Sequence, residues 1–121
     1  MIKNLTDLTV RPDASLLDTI AAISKGTKQI ALVIDDAGVL LGTVTDGDVR
    51  RGLLRGLDMK ALVTEVMNPN PTTASVGDDA QTVMVEQLAR MIHSVPVIDA
   101  TGKVVGLFTD ADLVTPDELS T

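Results

Sequence analysis

Apolar and polar positions alternate in this chain in a way that predicts two strand hairpins, each preceded by a helix. Ile30-Ala31-Leu32-Val33-Ile34 is an unbroken aliphatic run, the pattern of a strand covered on both faces. Asp35-Asp36-Ala37-Gly38 follows as turn chemistry, with Gly38 able to take positive φ, and residues 39–44 return as a second strand. Upstream, Leu8-Thr9-Val10 reads as a short extended segment broken by Pro12. Asp13-Ala14-Ser15 then offers capping oxygens to a helix whose apolar face is Leu16, Ile20 and Ile23, and Gly26 stops it. Thr45-Asp46 begins a second helix that runs through Val49, Leu53 and Leu54 and ends near Gly56.

The same order returns downstream. Residues 74–76 are extended, Asp78-Asp79 caps, and 83–91 is helical with Val83, Leu88 and Met91 inward. Val95-Pro96-Val97-Ile98 is a strand, 99–102 its turn, and 104–108 its partner. A short helix from Asp110 is cut by Pro116. Met59, Met67, Met84 and Met91 are expected to fill gaps in the core. The connector Glu65-Val66-Met67-Asn68-Pro69-Asn70-Pro71 is too short to be a free tether.

Identities lie in register at a spacing of 64 residues: Asp35/Asp99, Gly38/Gly102, Gly42/Gly106, Thr45/Thr109, Asp46/Asp110 and Asp48/Asp112. Each copy is a strand, helix, strand, strand, helix unit too small to bury a core alone. The expected fold is therefore α/β (α+β), two pseudo-symmetric β-α-β-β-α repeats over residues 1–64 and 65–121. They are expected to form one compact pair, packed sheet to sheet, with equivalent clefts where the copies meet.

Composition narrows the function. Apolar residues make up 45% of the chain, but Phe108 is its single aromatic, so base stacking on aromatic rings is not the means of recognition. A net charge of −7 argues against a grip on nucleic-acid backbone. That charge is lopsided, because residues 1–64 balance eight Lys/Arg with eight Asp while residues 65–121 set two Lys/Arg against nine Asp/Glu. A small anion would find its cations in the first copy, at Lys25, Lys28, Arg50, Arg51 and Arg55. Without cysteine there is no disulfide or thiolate chemistry. No apolar run approaches the roughly 20 residues that cross a bilayer, and no signal peptide is visible. The expectation is a soluble cytoplasmic protein.

Candidate chemistry sits where the hairpin's second strand meets the next helix. Gly42-Thr43-Val44-Thr45-Asp46-Gly47-Asp48 and its twin Gly106-Leu107-Phe108-Thr109-Asp110-Ala111-Asp112 both end a strand and start a helix, a position that favours anions. The Thr45 and Thr109 hydroxyls can donate to phosphate. The Asp48 and Asp112 carboxylates, one turn on, offer paired acceptors suited to a vicinal diol such as ribose. The same residues also read as plain helix starts, Thr capping and Asp stabilising the first turn. His93 either faces a cleft or lies half-exposed at a helix end, the commoner placement. The aspartates lack converging His or Glu for tight metal binding, leaving at most a weak Mg²⁺ accompanying a nucleotide. Neither a phosphate-binding glycine loop nor a Ser/His/Asp arrangement is present, so catalysis is the weakest reading.

These strand–turn–helix segments, with Val66-Met67-Asn68-Pro69 between them, resemble a tandem pair of cystathionine-β-synthase (CBS) domains, a Bateman module, over nearly the whole chain. The resemblance implies a non-catalytic regulatory module binding AMP, ADP, ATP or S-adenosylmethionine and dimerising through its helices into a flat disc. By the same resemblance Thr45 and Thr109 contact phosphate, Asp48 and Asp112 hold ribose, and Arg50 and Arg51 are phosphate partners. Adenine rests on Ile92, His93 and Ser94, with Gln29, Ile30 and Ala31 as first-copy counterparts and Leu32 where the family has Pro. A narrower similarity, to the CBS pair preceding bacterial sugar-nucleotidyltransferase domains, implies an attached or partner enzyme and makes residues 117–121 a linker stub. The alternative is a ligand-free dimerisation or interaction module.

Overall fold

A computed structural model describes residues 1–26 and 28–113. The chain divides into two compact units, Leu5–Pro71 and a second that joins Met1–Asn4 to the chain from Thr72 onward. Pro116 and the expected linker stub at 117–121 lie outside the described residues.

In the first unit, a 3-10 turn at Thr6–Leu8 leads into strand β1 (Thr9–Val10), helix α1 (Leu16–Gly26), strands β2 (Ile30–Ile34) and β3 (Leu40–Thr45), and helix α2 (Asp46–Leu54). The sheet order is β1-β2-β3, with β1 parallel and β3 antiparallel to β2. Leu8, expected in the strand, instead ends the 3-10 turn and is buried. A Cβ on Gly26 would lie 2.2 Å from the Leu8 side chain, so the end of α1 sits hard against that turn. Ser15 Oγ accepts from the Asp18 amide at 3.1 Å and starts α1. Thr19 is fully buried on the same helix, and its hydroxyl is satisfied by donating to the Ser15 carbonyl at 2.8 Å. Leu16, Ile23, Ala31, Val33, Val44, Val49, Val63 and Val66 form the core between helices and sheet.

The second unit repeats the plan with β4 (Ala74–Ser75), α3 (Ala80–Leu88), β5 (Ser94–Ile98), β6 (Val104–Thr109) and a 3-10 turn at Asp110–Asp112. Its sheet order is β4-β5-β6, and its core is Ala74, Met84, Val95, Val97 and Phe108. Three helices and two three-stranded sheets among the described residues make this a mixed α/β fold.

The repeated Asp and Gly of the hairpins have a shared cause. Asp35 Oδ1 accepts from the amides of Ala37 (2.9 Å) and Val39 (3.0 Å), while Gly38 takes φ +86° and donates to the Asp35 carbonyl. Asp99 does the same for Thr101 (2.8 Å) and Lys103 (3.1 Å), with Gly102 at φ +87°. Both hairpins then carry a register shift at the same place, between Val33/Ile34 and Val97/Ile98.

Helix α3 departs from expectation. It ends at Leu88, so Met91 lies beyond it at φ +63° and is 82% exposed rather than inward. Val83 and Leu88 are half-buried and pack against the second core as expected, beside the buried Met84 and Gln87. Met59 is likewise exposed, while Met67 packs against the first core.

The connector is not loose. Asn68 exchanges two backbone hydrogen bonds with Thr43, at 2.8 and 3.1 Å. In the second unit Ile2 makes the equivalent pair with Leu107, at 2.9 and 2.8 Å. A Met-led strap thus runs antiparallel beside the last strand of each sheet, passing over Gly42 and Gly106. A Cβ on Gly42 would meet the Asn68 carbonyl at 2.6 Å and the Met67 sulfur at 2.9 Å, and one on Gly106 would meet the Met1 sulfur at 2.4 Å. Close backbone approach, not a turn, demands glycine at position 42, whereas at position 106 the severe contact is with the Met1 side chain and the Ile2 carbonyl stands back at 3.2 Å.

Candidate functional site

Strand β3 delivers Thr45 in extended conformation (φ −113°, ψ 170°) as the N-cap of α2. Asp48 Oδ2 accepts from the Thr45 amide at 2.9 Å and from the Thr45 hydroxyl at 3.1 Å, and the Asp48 amide donates back to Thr45 Oγ1 at 3.4 Å. This reciprocal box fixes the hydroxyl and the carboxylate on one side of the helix start. The other carboxylate oxygen, Asp48 Oδ1, accepts from Arg51 Nη2. Asp48 is largely buried at 18% exposure, whereas the Arg51 head is 66% exposed. Arg50 is exposed on the same helix.

Strand β6 builds the counterpart. Asp112 Oδ2 accepts from the Thr109 amide at 2.8 Å, and Thr109 Oγ1 accepts from the Ala111 amide at 3.2 Å. Asp112 Oδ1 is ion-paired with the Met1 ammonium. Thr109 is buried. The Thr and Asp of each copy are therefore brought together twice, with a different cation on the second carboxylate oxygen each time. Sequence reading named Arg51 only as a phosphate partner and missed Met1 altogether.

The flanking strands line up beside these boxes. Ile30 pairs with Thr45 and Ala31 with Val44, while Ser94 pairs with Thr109 and Val95 with Phe108. Ser94 therefore corresponds to Ile30, not to Ala31, and the counterparts of Ile92 and His93 are Lys28 and Gln29. The expected correspondence was one residue out. Ala31 matches Val95 instead, and both side chains lie in the cores formed with the helices. Ile30 is buried and Ser94 half-buried beside their threonines. His93 is 65% exposed, with Nδ1 3.9 Å from Asp110 Oδ2; it is a surface residue, but it directly precedes β5 and lies beyond the end of α3 at Leu88 rather than at a helix end.

Hydroxyl donors, carboxylate acceptors, a guanidinium and the positive end of the α2 dipole suit a ligand with both a phosphate and a diol. Among the described residues, no group of three or more His, Asp or Glu is arranged to hold a metal ion. Nor is any helix of those residues long and apolar enough to cross a membrane.

A family model described as the CBS domain matches residues 1–55 and again residues 63–116. The arabinose 5-phosphate isomerase GutQ of Salmonella typhi is 33% identical over 92 residues, covering 76% of this chain and 29% of the isomerase. The inosine-5'-monophosphate dehydrogenase of Mycobacterium leprae is 31% identical over 112 residues, 92% of this chain and 20% of the dehydrogenase. The chain thus spans less than a third of the length of these relatives. Among solved structures, the CBS domain pair of protein MJ0100, in complex with 5'-methylthioadenosine and S-adenosyl-L-methionine, is similar with a TM-score of 0.74 and 26% identity, covering 87% of this chain and 82% of that one. The duplicated hairpins, the paired Thr/Asp boxes and two family matches have one explanation: this chain belongs to the CBS-domain family, as a tandem pair of CBS domains.

Proposed function

We propose that the chain is a non-catalytic regulatory module that binds an adenine nucleotide or adenosyl ligand (AMP, ADP, ATP or S-adenosylmethionine). One observation carries the reading: a strand-end Thr and a helix-start Asp are locked into the same box in both copies of a CBS pair. Thr45 and Thr109 would donate to phosphate, Asp48 and Asp112 would accept from ribose hydroxyls, and Arg50 and Arg51 would add charge in the first copy. Ile30 and Ser94 stand beside the threonines as surfaces for the base, with His93 next to Ser94. The complex of the MJ0100 pair with two adenosyl compounds supports this ligand class. Any Mg²⁺ would arrive with a nucleotide's phosphates.

Occupancy would bias the setting of an attached or partner enzyme, because a ligand shifts an equilibrium by its differential affinity for the two states. The isomerase and dehydrogenase relatives are consistent with an enzyme partner. The likeness of residues 42–51 and 65–71 to the segment preceding sugar-nucleotidyltransferase domains makes such a transferase one candidate. Homodimerisation through the helices and a cytoplasmic location complete the proposal.

A second reading has an observation of its own. Both oxygens of Asp48 and of Asp112 already accept hydrogen bonds or ion pairs inside the protein, as they would in a ligand-free interaction module. A thermal-shift panel of AMP, ADP, ATP, S-adenosylmethionine and sugar nucleotides separates the two. A true ligand at about 100 times its Kd adds roughly 2.7 kcal/mol of stability. Unmoved melting curves across the panel favour the interaction module.

A further inference from the structure

Resting on that reading of the first copy, we propose that Arg51 is a specificity-determining residue. It holds the Asp48 carboxylate and yields it only to a ligand that brings an anion in exchange, so the first copy selects phosphate-bearing adenine nucleotides over uncharged adenosyl compounds.

The geometry has two parts. Arg51 folds back along α2 toward the helix start, and its Nη2 donates to Asp48 Oδ1. Its head also lies over Gly47: a Cβ built there would meet Nη1 at 3.3 Å and Nη2 at 3.7 Å, with the Thr45 hydroxyl also 3.7 Å away. Glycine at position 47 thus leaves the space into which the guanidinium folds, beside the hydroxyl assigned to phosphate. The second copy has Ala111 and Thr115 where the first has Gly47 and Arg51. The glycine and the arginine occur together in one copy and are both missing from the other.

The electrostatics set the direction of selection. A helix start is the positive end of the macrodipole, an unfavourable place for a cation and a favourable one for an anion. Asp48 compensates Arg51 there. A ribose diol needs Asp48 as its acceptor and therefore competes with Arg51 for it. A nucleotide restores the balance, because its phosphate takes the guanidinium fork and places negative charge on the helix dipole while its ribose takes the carboxylate. An uncharged adenosyl compound takes the carboxylate and leaves Arg51 with no anion.

The test is calorimetric titration of the full chain with AMP and with 5'-methylthioadenosine, repeated on Arg51→Ala and Arg51→Lys. The exposed head makes both variants compatible with folding. The parent should bind AMP at least roughly ten-fold more tightly, the scale of a charge-assisted hydrogen bond. Arg51→Ala should weaken AMP by a similar factor, leave 5'-methylthioadenosine as tight or tighter, and so erase the preference. Arg51→Lys, which keeps the charge but not the fork, should fall between. An AMP preference unchanged in Arg51→Ala, or absent from the parent, overturns the proposal. If instead neither ligand binds the parent, or Asp48→Ala leaves both affinities unchanged, the nucleotide reading itself fails and this proposal with it.

Discussion

Replacing Gly42 and Gly106 by alanine gives unequal outcomes, although the two glycines are equivalent in the repeat. At Gly42 the new Cβ would stand 2.6 Å from the Asn68 carbonyl oxygen, a backbone atom, and 2.9 Å from the Met67 sulfur. The strap must move, and both hydrogen bonds between Asn68 and Thr43 go with it. At a net value of about 1 kcal/mol each, their loss costs about 2 kcal/mol. Stiffening of the unfolded chain returns roughly 0.4–1 kcal/mol, which leaves a net destabilisation of about 1–2 kcal/mol. At Gly106 the nearest backbone atom is the Ile2 carbonyl at 3.2 Å, and the severe contacts, 2.4 and 2.7 Å, are with the Met1 side chain. That side chain can swing aside, so the same gain from the unfolded chain leaves Gly106→Ala within about 0.5 kcal/mol of the parent. For a chain of this size, urea denaturation should place the Gly42→Ala midpoint roughly 1 M lower and leave Gly106→Ala near the parent value. Hydrogen exchange at the Asn68 amide should accelerate in the first variant. Equal midpoints for the two variants, or an Asn68 amide still protected in Gly42→Ala, would refute the strap as described.

Two further predictions concern the second unit. Gln87 is 92% buried by its 8% exposure, its Oε1 has no hydrogen-bond partner, and it stands where the first copy has the core residue Ile23. Gln87→Ile should therefore stabilise by about 1–2 kcal/mol, read as a higher melting temperature, and a lower one would contradict the repeat alignment of the helices. Asp79 is held below the usual carboxylate range, first by the Thr82 hydroxyl and then by the Thr82 amide; Asp99 is held low first by the Thr101 hydroxyl. Because folding lowers these pKa values, their contribution is fully present above the unfolded Asp value and is lost as pH falls through the folded one. Carboxyl resonances followed by NMR should titrate below ordinary aspartate at both positions, and titration at or above it would remove the assigned hydrogen bonds.

What could be read from the sequence was whatever has a strong local code. The β-branched run at 30–34 and the Asp/Gly turns fix their own geometry, so β2 and both hairpins lie where the pattern put them. Thr45 and Thr109 were legible for the same reason, since a β-strand ending in Thr-x-x-Asp can cap itself. Contacts that depend on tertiary packing were not. Met1 and Asn4 repeat Met67 and Asn70, a signal visible in the sequence, but at a spacing of 66 residues rather than 64 it falls outside the main register. Gln87 hides on an apolar face because helical periodicity counts it as polar. Met91 was misplaced because nothing local marks the end of α3 at Leu88; Arg90 and Met91 simply continue the pattern. Ser94 answers to Ile30 and not to Ala31 because the 64-residue spacing carries through the strand pairs Ile30/Thr45 and Ser94/Thr109, and alternation turns Ala31 to the opposite face.

The claim that everything functional depends on is that the paired Thr/Asp boxes hold a nucleotide. The most direct measurement is equilibrium binding of labelled AMP to the parent chain, to Asp48→Ala, to Asp112→Ala and to the double variant, with far-UV circular dichroism confirming that each is folded. The account predicts binding to the parent and affinity at least roughly ten-fold weaker in the double variant. A folded double variant that binds AMP as tightly as the parent would contradict it.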